Sequence, residues 1–300
     1  MRTLFILNPA SGTAAKWARF ERRFKPGPNA EVVKTQRRGH AVELAGEAVR
    51  AGAARVVAVG GDGTLSETVH GMLSAGADPE TCVLAHLPAG SGCDTARHFG
   101  LPSDPGNWAA FLEAGDPSRI DAGRAQWREG GMERVRHFIN IAMAGLPGDI
   151  VETMERVGKP LGGTLSYLGV SLAKLLGSRA RAMEISLDQT LEATGRFHLL
   201  ALALTSTTGG GMRIAPAADA RDGLFDWVAV GDVGLPRLLK NFPRIYAGTH
   251  LSVEGITSGR ARKVAVHSPE DVPLNIDGEP LGRLPARFEV LPGALSFLVP

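Results

Sequence analysis

We expect this chain to form an α/β domain, with helices on both faces of a parallel sheet, followed by a mainly antiparallel β domain. Up to Asp121, apolar runs alternate with helical patterns, which is typical of a parallel sheet covered by helices. After Asp121 the pattern changes to short strand-like runs separated by turn signals. No internal repeat or low-complexity linker interrupts the chain.

The first part contains four pairs of one strand and one helix. In order, they are RTLFILNP before SGTAAKWARFERRF, AEVVKT before GHAVELAGEAVRAG, ARVVAV before LSETVHGMLSAG, and TCVLAHLP before DTARHFGL. The apolar spacing predicts that the third helix begins at Leu65, after the glycine turn. Asp94 is the expected N-cap of the fourth helix, because Asp favours that position.

The second part is rich in short strands. The candidates are HFINIAMAG, RAMEISLD, FHLLALALT, LFDWVAVGD, KVAVHS, LNIDGEP and ARFEVL. Two helical stretches, TLSYLGVSLAKLLG and LPRLLKNFPRIYAG, interrupt them.

Composition excludes several classes of protein. The 300 residues are 44% hydrophobic and 21% charged, which is typical of globular domains, and a net charge of +2 gives no signal for nucleic acid. Cys82 and Cys93 are too few for a disulfide framework, so we expect a reducing cytoplasm. No run approaches the ~18 apolar residues of a membrane span, so we expect any membrane contact to be peripheral.

Three small, flexible loops follow predicted strands. They are Asn8-Pro9-Ala10-Ser11-Gly12, Gly60-Gly61-Asp62-Gly63-Thr64 and Pro88-Ala89-Gly90-Ser91-Gly92. Glycine lets backbone N–H groups approach an anion closely, and each loop precedes a helix N-terminus, which favours negative charge. In an open parallel sheet, ligands bind at the carboxyl ends of the strands. The loops therefore predict a phosphate-rich ligand such as a nucleotide.

Asp62 narrows the choice of chemistry. The P-loop, Rossmann, protein-kinase and common hydrolase signatures are all missing from the sequence. A carboxylate among phosphate-binding glycines repels phosphates unless a divalent cation lies between them. Mg²⁺ fits that role, so phosphoryl transfer with ATP and Mg²⁺ is the expected chemistry.

The ordered motifs resemble a known family. GGDGTLSE, LPAGSGCDTAR and NPASG look like the catalytic domain of the diacylglycerol kinase family, and most closely its soluble bacterial lipid kinases, which are related to sphingosine and ceramide kinases. Downstream, GGGMRIAPAADARDGLFD and NIDGEPL also match the family. GGDGT by itself occurs in NAD kinases too, whereas the ordered set is specific.

The resemblance implies a domain organisation. It predicts a nucleotide-binding α/β domain over residues 1–122, completed by 288–300, and a β-sandwich lipid domain over 123–287, with the active site in the cleft. The fold expected is that shared by NAD kinases and diacylglycerol kinases.

The resemblance also implies the site residues. Asp62 acts through Mg²⁺, Glu279 with Asp277 beside it is placed as the base for the lipid hydroxyl, and a second metal is held around the DG turn. The expected ATP-site residues are Asn8, Pro9, Ser11, Gly12, Thr35, Gly60, Gly61, Asp62, Gly63, Thr64, Leu65, Ser66, Glu67, Gly90 and Ser91; those of the second metal are Asp219, Asp222 and the carbonyl of Leu224. From the residues alone, DGE is more typical of a hairpin turn than of a catalytic site, and DARDG is as typical of a solvated turn as of a metal site.

Three positions depart from the family pattern. Ser66 and Cys93 stand where the family usually has Asn, and Ser91 stands where it usually has Thr. Ser91 keeps a hydroxyl, but Cys93 is a weaker hydrogen-bonding group than Asn. Asp62 and Glu279 are retained, so the catalytic interpretation stands.

The expected function is ATP- and Mg²⁺-dependent phosphorylation of a lipid hydroxyl, most simply conversion of diacylglycerol to phosphatidic acid. The lipid is taken from a membrane surface, at the inner face, with SYLGVSLAKLLGSRAR as either an interfacial helix or a core helix. One alternative is an NAD-kinase-like enzyme acting on a soluble nucleotide, and another is a catalytically weak lipid- or nucleotide-binding protein. The sequence leaves open the identity of the lipid and the oligomeric state, a homodimer included.

Overall fold

The computed structural model describes residues 2–11, 13–22, 27–90, 92–157 and 163–300. The chain divides into two compact units. The first comprises Met1–Ala122 together with Pro292–Pro300, and the second comprises Gly123–Leu291. Each unit boundary falls inside a long strand, β5 (Asp116–Glu129) or β15 (Ala286–Val299).

The first unit alternates strands and helices. Its further elements, in chain order, are β1 (Thr3–Leu7), α1 (Thr13–Glu21), β2 (Ala30–Lys34), α2 (His40–Arg50), β3 (Arg55–Gly60), α3 (Asp62–Ser74), β4 (Val83–Pro88), α4 (Asp94–Phe99) and α5 (Trp108–Ala114). The sheet order is β4-β3-β1-β2, and the C-terminal part of β15 joins beside β4; all of these pairs are parallel. The run Val56–Val59 of β3 is fully buried, as expected for a strand covered on both faces.

The second unit is built mainly of antiparallel strands. In chain order it adds β6 (Met132–Phe138), β7 (Ile141–Gly145), α6 (Leu146–Val157), α7 (Gly163–Leu176), β8 (Arg181–Leu187), β9 (Thr190–Ala203), β10 (Phe225–Gly231), α8 (Leu235–Asn241), α9 (Arg244–Ala247), β11 (Ile256–Ala261), β12 (Lys263–His267), β13 (Pro273–Ile276) and β14 (Glu279–Arg283). The strands run in the order β14-β13-β7-β9-β8-β12-β15, while β10 pairs with β9 and β11, and β5 with β6.

The core of the second unit lies on both faces of its central strands. Along β7, Ala142 and Ala144 belong to one apolar cluster, whereas Ile141 and Met143 belong to another. Successive side chains of a strand point to opposite faces, so each face of this sheet packs against its own apolar layer. The double burial explains why IAMAG is apolar throughout instead of alternating with polar residues.

The predicted order, a parallel α/β unit followed by an antiparallel β unit, is confirmed. Helices α5 and α6 and strands β5 and β11 are elements that the sequence patterns do not predict. Within the described residues, no helix is both long enough and apolar enough to cross a bilayer.

Candidate active site

Strand β3 passes directly into helix α3. Gly61 is the N-cap in an extended conformation, and Asp62 is the first helical residue. The prediction that this helix begins at Leu65 is therefore wrong. An acidic residue in the first turn is stabilised by the helix dipole, so Asp62 and Gly63 continue the helix where the apolar spacing indicates a loop. The first N–H groups of a helix have no acceptor within it, so this end can bind an anion.

The second and third glycine loops approach each other closely. The Gly60 carbonyl accepts hydrogen bonds from Ala89 N at 2.8 Å and from Gly90 N at 3.3 Å. A Cβ atom on Gly90 would lie 2.6 Å from the Cα of Gly61, so a larger residue cannot occupy this position without moving the backbone. The structure thus brings together two of the three loops that the sequence singles out, and explains one of their glycines.

Asn8 links the first loop to the same end of the sheet. Its backbone N–H donates to Val59 O at 3.0 Å, and its side-chain Nδ2 donates to Thr64 Oγ1 at 3.1 Å. Asn8 Oδ1 also accepts from Ala10 N at 3.0 Å. The amide therefore connects the end of β1 to the first turn of α3, and it orients the Thr64 hydroxyl.

The remaining predicted residues of this region are placed as follows. Pro9–Ser11 form a short 3₁₀ turn. Thr35 follows β2, and its backbone N–H donates a hydrogen bond to the Leu7 carbonyl at 2.8 Å. Gly12 and Ser91 lie outside the described residues.

The Asp62 carboxylate caps a neighbouring helix. Its Oδ2 accepts from Asp94 N at 2.9 Å and its Oδ1 from Thr95 N at 3.2 Å, at the start of α4. The predicted N-cap, Asp94, is wrong: Cys93 occupies that position in a left-handed conformation with φ 49° and makes no side-chain cap, while Asp94 pairs with Arg97. Capping from outside the helix makes a local cap unnecessary. Each Asp62 oxygen retains a lone pair that can face a cation.

Leu65, Ser66 and Glu67 follow in the first two turns of α3. The side chains of Leu65 and Ser66 are fully buried. Glu67 Oε1 accepts from Gly39 N at 2.9 Å and Oε2 from Ala41 N at 3.2 Å, which caps the start of α2. The two carboxylates of GDGTLSE therefore each hold the N-terminus of another helix, and we propose that Leu65, Ser66 and Glu67 support the site without touching a nucleotide.

Lys16 was not predicted as a site residue. Its Nζ lies 3.5 Å from the Pro88 carbonyl, at the end of β4 where the third loop begins. Only seven lysines occur in the chain, and none lies within a glycine loop. The available signal was its position on α1, the helix that follows the first loop. A flexible ammonium at the carboxyl end of the sheet can reach a phosphate.

The Cys93 thiol is held in its neutral form. Burial raises its pKa to about 11, and the negative charge of Asp62 contributes in the same direction. The cysteine that replaces the usual Asn therefore adds no charge to this end of the sheet.

In the second unit, the DGE motif is a hairpin turn. Asp277 and Gly278 connect β13 to β14 and have φ angles of 49° and 84°. Positive φ at both central residues is the requirement of the tight hairpin that Asp-Gly favours. The turn places Glu279 as the first residue of β14, opposite Ile276.

The two acids of this turn have separate environments. The Asp277 carboxylate is buried and accepts three backbone hydrogen bonds, from Ile139 N at 3.1 Å, Asn140 N at 3.0 Å and Ile141 N at 2.9 Å. These bonds fix the β6–β7 connection against the turn. Asp277 is therefore occupied with backbone groups, which leaves Glu279 as the better candidate for a base.

Glu279 is paired with Arg136. The Arg136 Nη2 lies 3.3 Å from Glu279 Oε2, and the two side chains are 9% and 15% exposed. A guanidinium in contact with one oxygen stabilises the carboxylate in its charged form and restricts its rotation. The contact therefore holds the Glu279 carboxylate in one orientation at the start of β14.

The predicted second metal site is an acidic turn. Asp219 Oδ1 accepts from Arg221 N at 3.1 Å and Asp222 Oδ1 from Leu224 N at 3.0 Å. Burial raises the pKa of nearby Asp226, and repulsion from Asp222 and Asp219 adds to the rise, while Arg260 opposes it. Three mutually repelling carboxylates and a carbonyl are hard oxygen donors of the type that Mg²⁺ prefers. The donor chemistry fits, although within the described chain no group of three or more His, Cys, Asp or Glu side chains is arranged to hold a metal.

The second unit also contains an apolar cavity of about 130 Å³. It lies among the helices α6 to α9 and the strands β7, β9 and β10. Prominent lining residues are Met143, Ile150, Leu175, Leu199, Phe242 and Ile245. Met143 is the ladder partner of Asn275, whose Oδ1 accepts from Gly278 N at 2.9 Å. The wall of the cavity is therefore connected by one strand pairing to the turn that carries Glu279.

Comparisons with known proteins agree with the motifs. Residues 2–125 match the diacylglycerol kinase catalytic domain, and residues 141–299 match the YegS C-terminal NAD kinase beta sandwich-like domain. A diacylglycerol kinase of Mycobacterium tuberculosis is 33% identical over 258 residues, which cover 86% of this chain and 80% of that protein. A protein of Chromohalobacter salexigens named "Probable lipid kinase YegS-like" is 30% identical over 274 residues, 91% of this chain and 85% of the relative.

Solved structures show the same fold. A Bacillus anthracis diacylglycerol kinase superposes with a TM-score of 0.72 at 18% identity, covering 100% of this chain and 97% of its own. Yeast NADH kinase gives a TM-score of 0.56 at 12% identity, with coverage of 99% and 82%. The family resemblance of the motifs is confirmed, and the chain belongs to the diacylglycerol kinase family, in the branch that carries a YegS-type C-terminal domain.

Proposed function

We propose that this protein transfers the γ-phosphoryl group of ATP to the hydroxyl of a membrane lipid. The kinase family supports an enzyme acting with ATP, and the relatives named diacylglycerol kinase favour a glycerolipid acceptor. The observation that carries the lipid assignment is the connection of the apolar cavity to the Glu279 turn through Met143 and Asn275. An apolar cavity in the unit that carries the base suits a lipid chain better than a soluble nucleotide.

The first unit is proposed as the nucleotide-binding domain. The N–H groups at the start of α3 are oriented toward the end of the sheet where the loops converge, and Lys16 adds a positive charge there. Mg²⁺ bound through Asp62 would neutralise charge on the ATP phosphates. Asn8 and the Gly60 carbonyl contacts hold these groups in place before the nucleotide arrives, so little reorganisation is needed.

Glu279 is proposed as the base in the second unit. An alcohol is a poor nucleophile at neutral pH, so its proton must leave as the new P–O bond forms. The Glu279 carboxylate accepts that proton, and its contact with Arg136 keeps it in place. Asp277 holds the backbone on which Glu279 stands. We further propose Asp219, Asp222 and the Leu224 carbonyl as ligands of a structural divalent cation.

The cavity is proposed to receive part of a lipid chain. At about 130 Å³ it is close in size to an engineered apolar cavity of about 150 Å³ that holds a benzene molecule, so a whole acyl chain needs the surrounding helices to move apart. Helices α8 and α9 contain no buried residues, which makes them the natural elements to move.

We propose that the protein works at the inner face of the membrane as a peripheral protein. Leu176 is the last residue of α7, and Tyr246 lies in α9. Their side chains are 55% and 43% exposed, on helices that line the cavity. Lys240 of α8 and Arg244 of α9 can contact anionic headgroups. Sedimentation with anionic and neutral vesicles tests this contact; equal absence of binding to both at low salt contradicts it.

The activity is tested with a panel of acceptors. The purified protein is incubated with Mg²⁺, γ-labelled ATP and mixed micelles containing diacylglycerol, phosphatidylglycerol, a sphingoid base or a polyprenol, with NAD as the soluble acceptor. We expect label in the organic phase with at least one lipid and none on NAD. Label on NAD and on no lipid contradicts the proposal and favours the soluble-nucleotide alternative.

A further inference from the structure

A histidine lies in the middle of a buried strand. His86 of β4 is 0% exposed, and the other residues of VLAHLP are apolar. Its Nε2 lies 3.2 Å from the Gly60 carbonyl oxygen, while its Nδ1 has no hydrogen-bond partner in the part of the chain that the structure describes. Burial of a half-satisfied polar ring is unfavourable compared with an aliphatic side chain of similar size. Any role of His86 beyond packing therefore acts through its hydrogen bond to the Gly60 carbonyl.

The ring is neutral and donates that bond. Burial lowers the pKa of His86, and the opposing effects of Asp62 and of the Gly60 carbonyl are smaller. A neutral imidazole carries one N–H, and a carbonyl oxygen can only accept. The hydrogen therefore resides on Nε2, and Nδ1 is an unprotonated acceptor.

Several hydrogen bonds hold the Gly60 carbonyl at the start of the second loop. In addition to His86, it accepts from Ala89 N at 2.8 Å, from Gly90 N at 3.3 Å and, over a longer distance of 4.0 Å, from Cys93 Sγ. A peptide group is planar and trans, so the direction of the Gly60 C=O sets the direction of the Gly61 N–H on its opposite side. Gly61 is the N-cap of α3, and its N–H is one of the groups that an anion at this helix end would meet.

The Gly60–Gly61 peptide needs hydrogen bonds to hold its orientation, because both of its residues are glycines. Gly60 and Gly61 have no Cβ, so their peptide plane can rotate more freely than that of other residues. Ala89 and Gly90 lie in the glycine loop after β4, whereas the His86 ring stands on a buried strand that pairs with β3 along its whole length. The imidazole is therefore the donor that is carried by the sheet itself.

We propose that His86 is a positioning residue for nucleotide binding, which holds the Gly60–Gly61 peptide so that the Gly61 N–H faces the phosphates. It acts through Gly60 and does not touch the nucleotide. The inference rests on the proposed function only in identifying the anion as the phosphates of ATP. It adds a residue in the interior of β4, the strand that pairs with β3, outside the three glycine loops.

The test compares three substitutions at one position. Gln can place an N–H₂ group near the position of Nε2, Asn is shorter and reaches only near Nδ1, and Leu has no donor. We expect His86→Leu and His86→Asn to weaken binding of Mg-ATP about 5- to 10-fold, the effect of one lost hydrogen bond, and His86→Gln to stay within about 2-fold of the unsubstituted protein. KM for ATP should rise by the same factor, whereas kcat and the lipid KM remain nearly unchanged.

Leu84→Ala is the matched control. Leu84 is fully buried on the same strand and the same face, two residues earlier, so its truncation destabilises the fold without removing a donor to Gly60. Thermal unfolding measured for every variant separates stability from nucleotide affinity. We expect Leu84→Ala to lower the melting temperature and leave the affinity for Mg-ATP unchanged.

Two results overturn the inference: equal affinities for His86→Gln and His86→Asn, or an affinity loss in Leu84→Ala as large as in His86→Leu. If His86→Leu does not fold, the Gln and Asn variants decide, because both keep a polar amide in the strand. Direct binding of a fluorescent ATP analogue requires no lipid. Failure to phosphorylate any lipid therefore counts against the proposed function, while the binding comparison still tests His86.

Discussion

The Arg136 guanidinium lies 3.3 Å from the Glu279 carboxylate, and neither side chain is more than 15% exposed. The two residues are far apart in sequence, on β6 and β14. Removing one member of a buried pair leaves the other charge uncompensated, which is unfavourable. Arg136 should therefore matter to turnover even though it is not proposed to touch the reacting atoms.

Substitution Arg136→Gln tests this pair. We expect kcat to fall roughly 10- to 100-fold, because a carboxylate misplaced by about 1 Å is a poor base, with the KM for ATP unchanged. Steady-state kinetics with saturating lipid measures the effect. Arg134→Gln is the control: Arg134 stands two residues earlier on β6, is 46% exposed and pairs with Glu129. An equal loss in both variants would show that β6 is merely disturbed.

Asp277 should contribute more to stability than to chemistry. In Asp277→Asn, the side-chain N–H₂ must replace one oxygen and then faces a backbone N–H of Ile139 or of Asn140 and Ile141. We expect the free energy of unfolding to fall by about 1–3 kcal/mol, the range for an unsatisfied buried donor. Urea unfolding and steady-state kcat are both measured for Asp277→Asn, with the kcat of Glu279→Gln as the reference. An unchanged unfolding free energy together with a loss of kcat as large as in Glu279→Gln would reverse the roles assigned to these two acids.

Both cysteines should react slowly with thiol reagents. Burial raises the pKa of Cys82 and of Cys93 to about 11, and the thiolate is the reactive form. At pH 8 the thiolate fraction is about one in a thousand, and it increases tenfold per pH unit until the pKa is approached. Reaction with Ellman's reagent at pH 7 to 10, with the urea-unfolded protein as control, measures this. Rapid labelling of the folded protein at pH 7 would contradict the burial of these thiols.

Stability should decrease in mild acid. Burial lowers the pKa values of His86, His137 and His250 below the ordinary value of 6.5. The unfolded chain therefore binds protons that the folded protein does not, and the unfolding free energy falls as the pH drops below about 6.5. We expect unfolding at lower urea concentration at pH 5.5 than at pH 7.5. Carboxylates with ordinary pKa values titrate below this window, so an unchanged midpoint would mean that the pKa values of these rings are not lowered in the fold.

Local patterns in the sequence predict much of this fold. The buried runs RVVAVG and VLAHLP predict β3 and β4, and the order of glycine loops predicts which end of the sheet binds a ligand. The prediction of Asp94 as an N-cap fails because Asp62 caps α4 from a distance of about thirty residues in the chain. Capping from another element leaves no trace in the local sequence.

The sequence also does not predict which residues contact the two acids of the DGE turn. Asp-Gly correctly predicts the hairpin, but the partners of Asp277 and Glu279 come from residues 136–141, more than a hundred positions earlier. Only the pairing of β13 with β7 brings these segments together. The motif therefore indicates which carboxylates matter, whereas the structure is needed to separate a supporting acid from a candidate base.

The central claim is that Asp62 and Glu279 make this protein an ATP-dependent lipid kinase. The most direct measurement is the transfer of γ-label from ATP to the organic phase by the unsubstituted protein, Asp62→Asn and Glu279→Gln, on the same lipid micelles with Mg²⁺. We expect labelled lipid from the unsubstituted protein and a loss of roughly 100-fold or more in each variant, with both variants folded by circular dichroism. Label at the unsubstituted level in both folded variants, or none with any lipid from the unsubstituted protein, would contradict the claim.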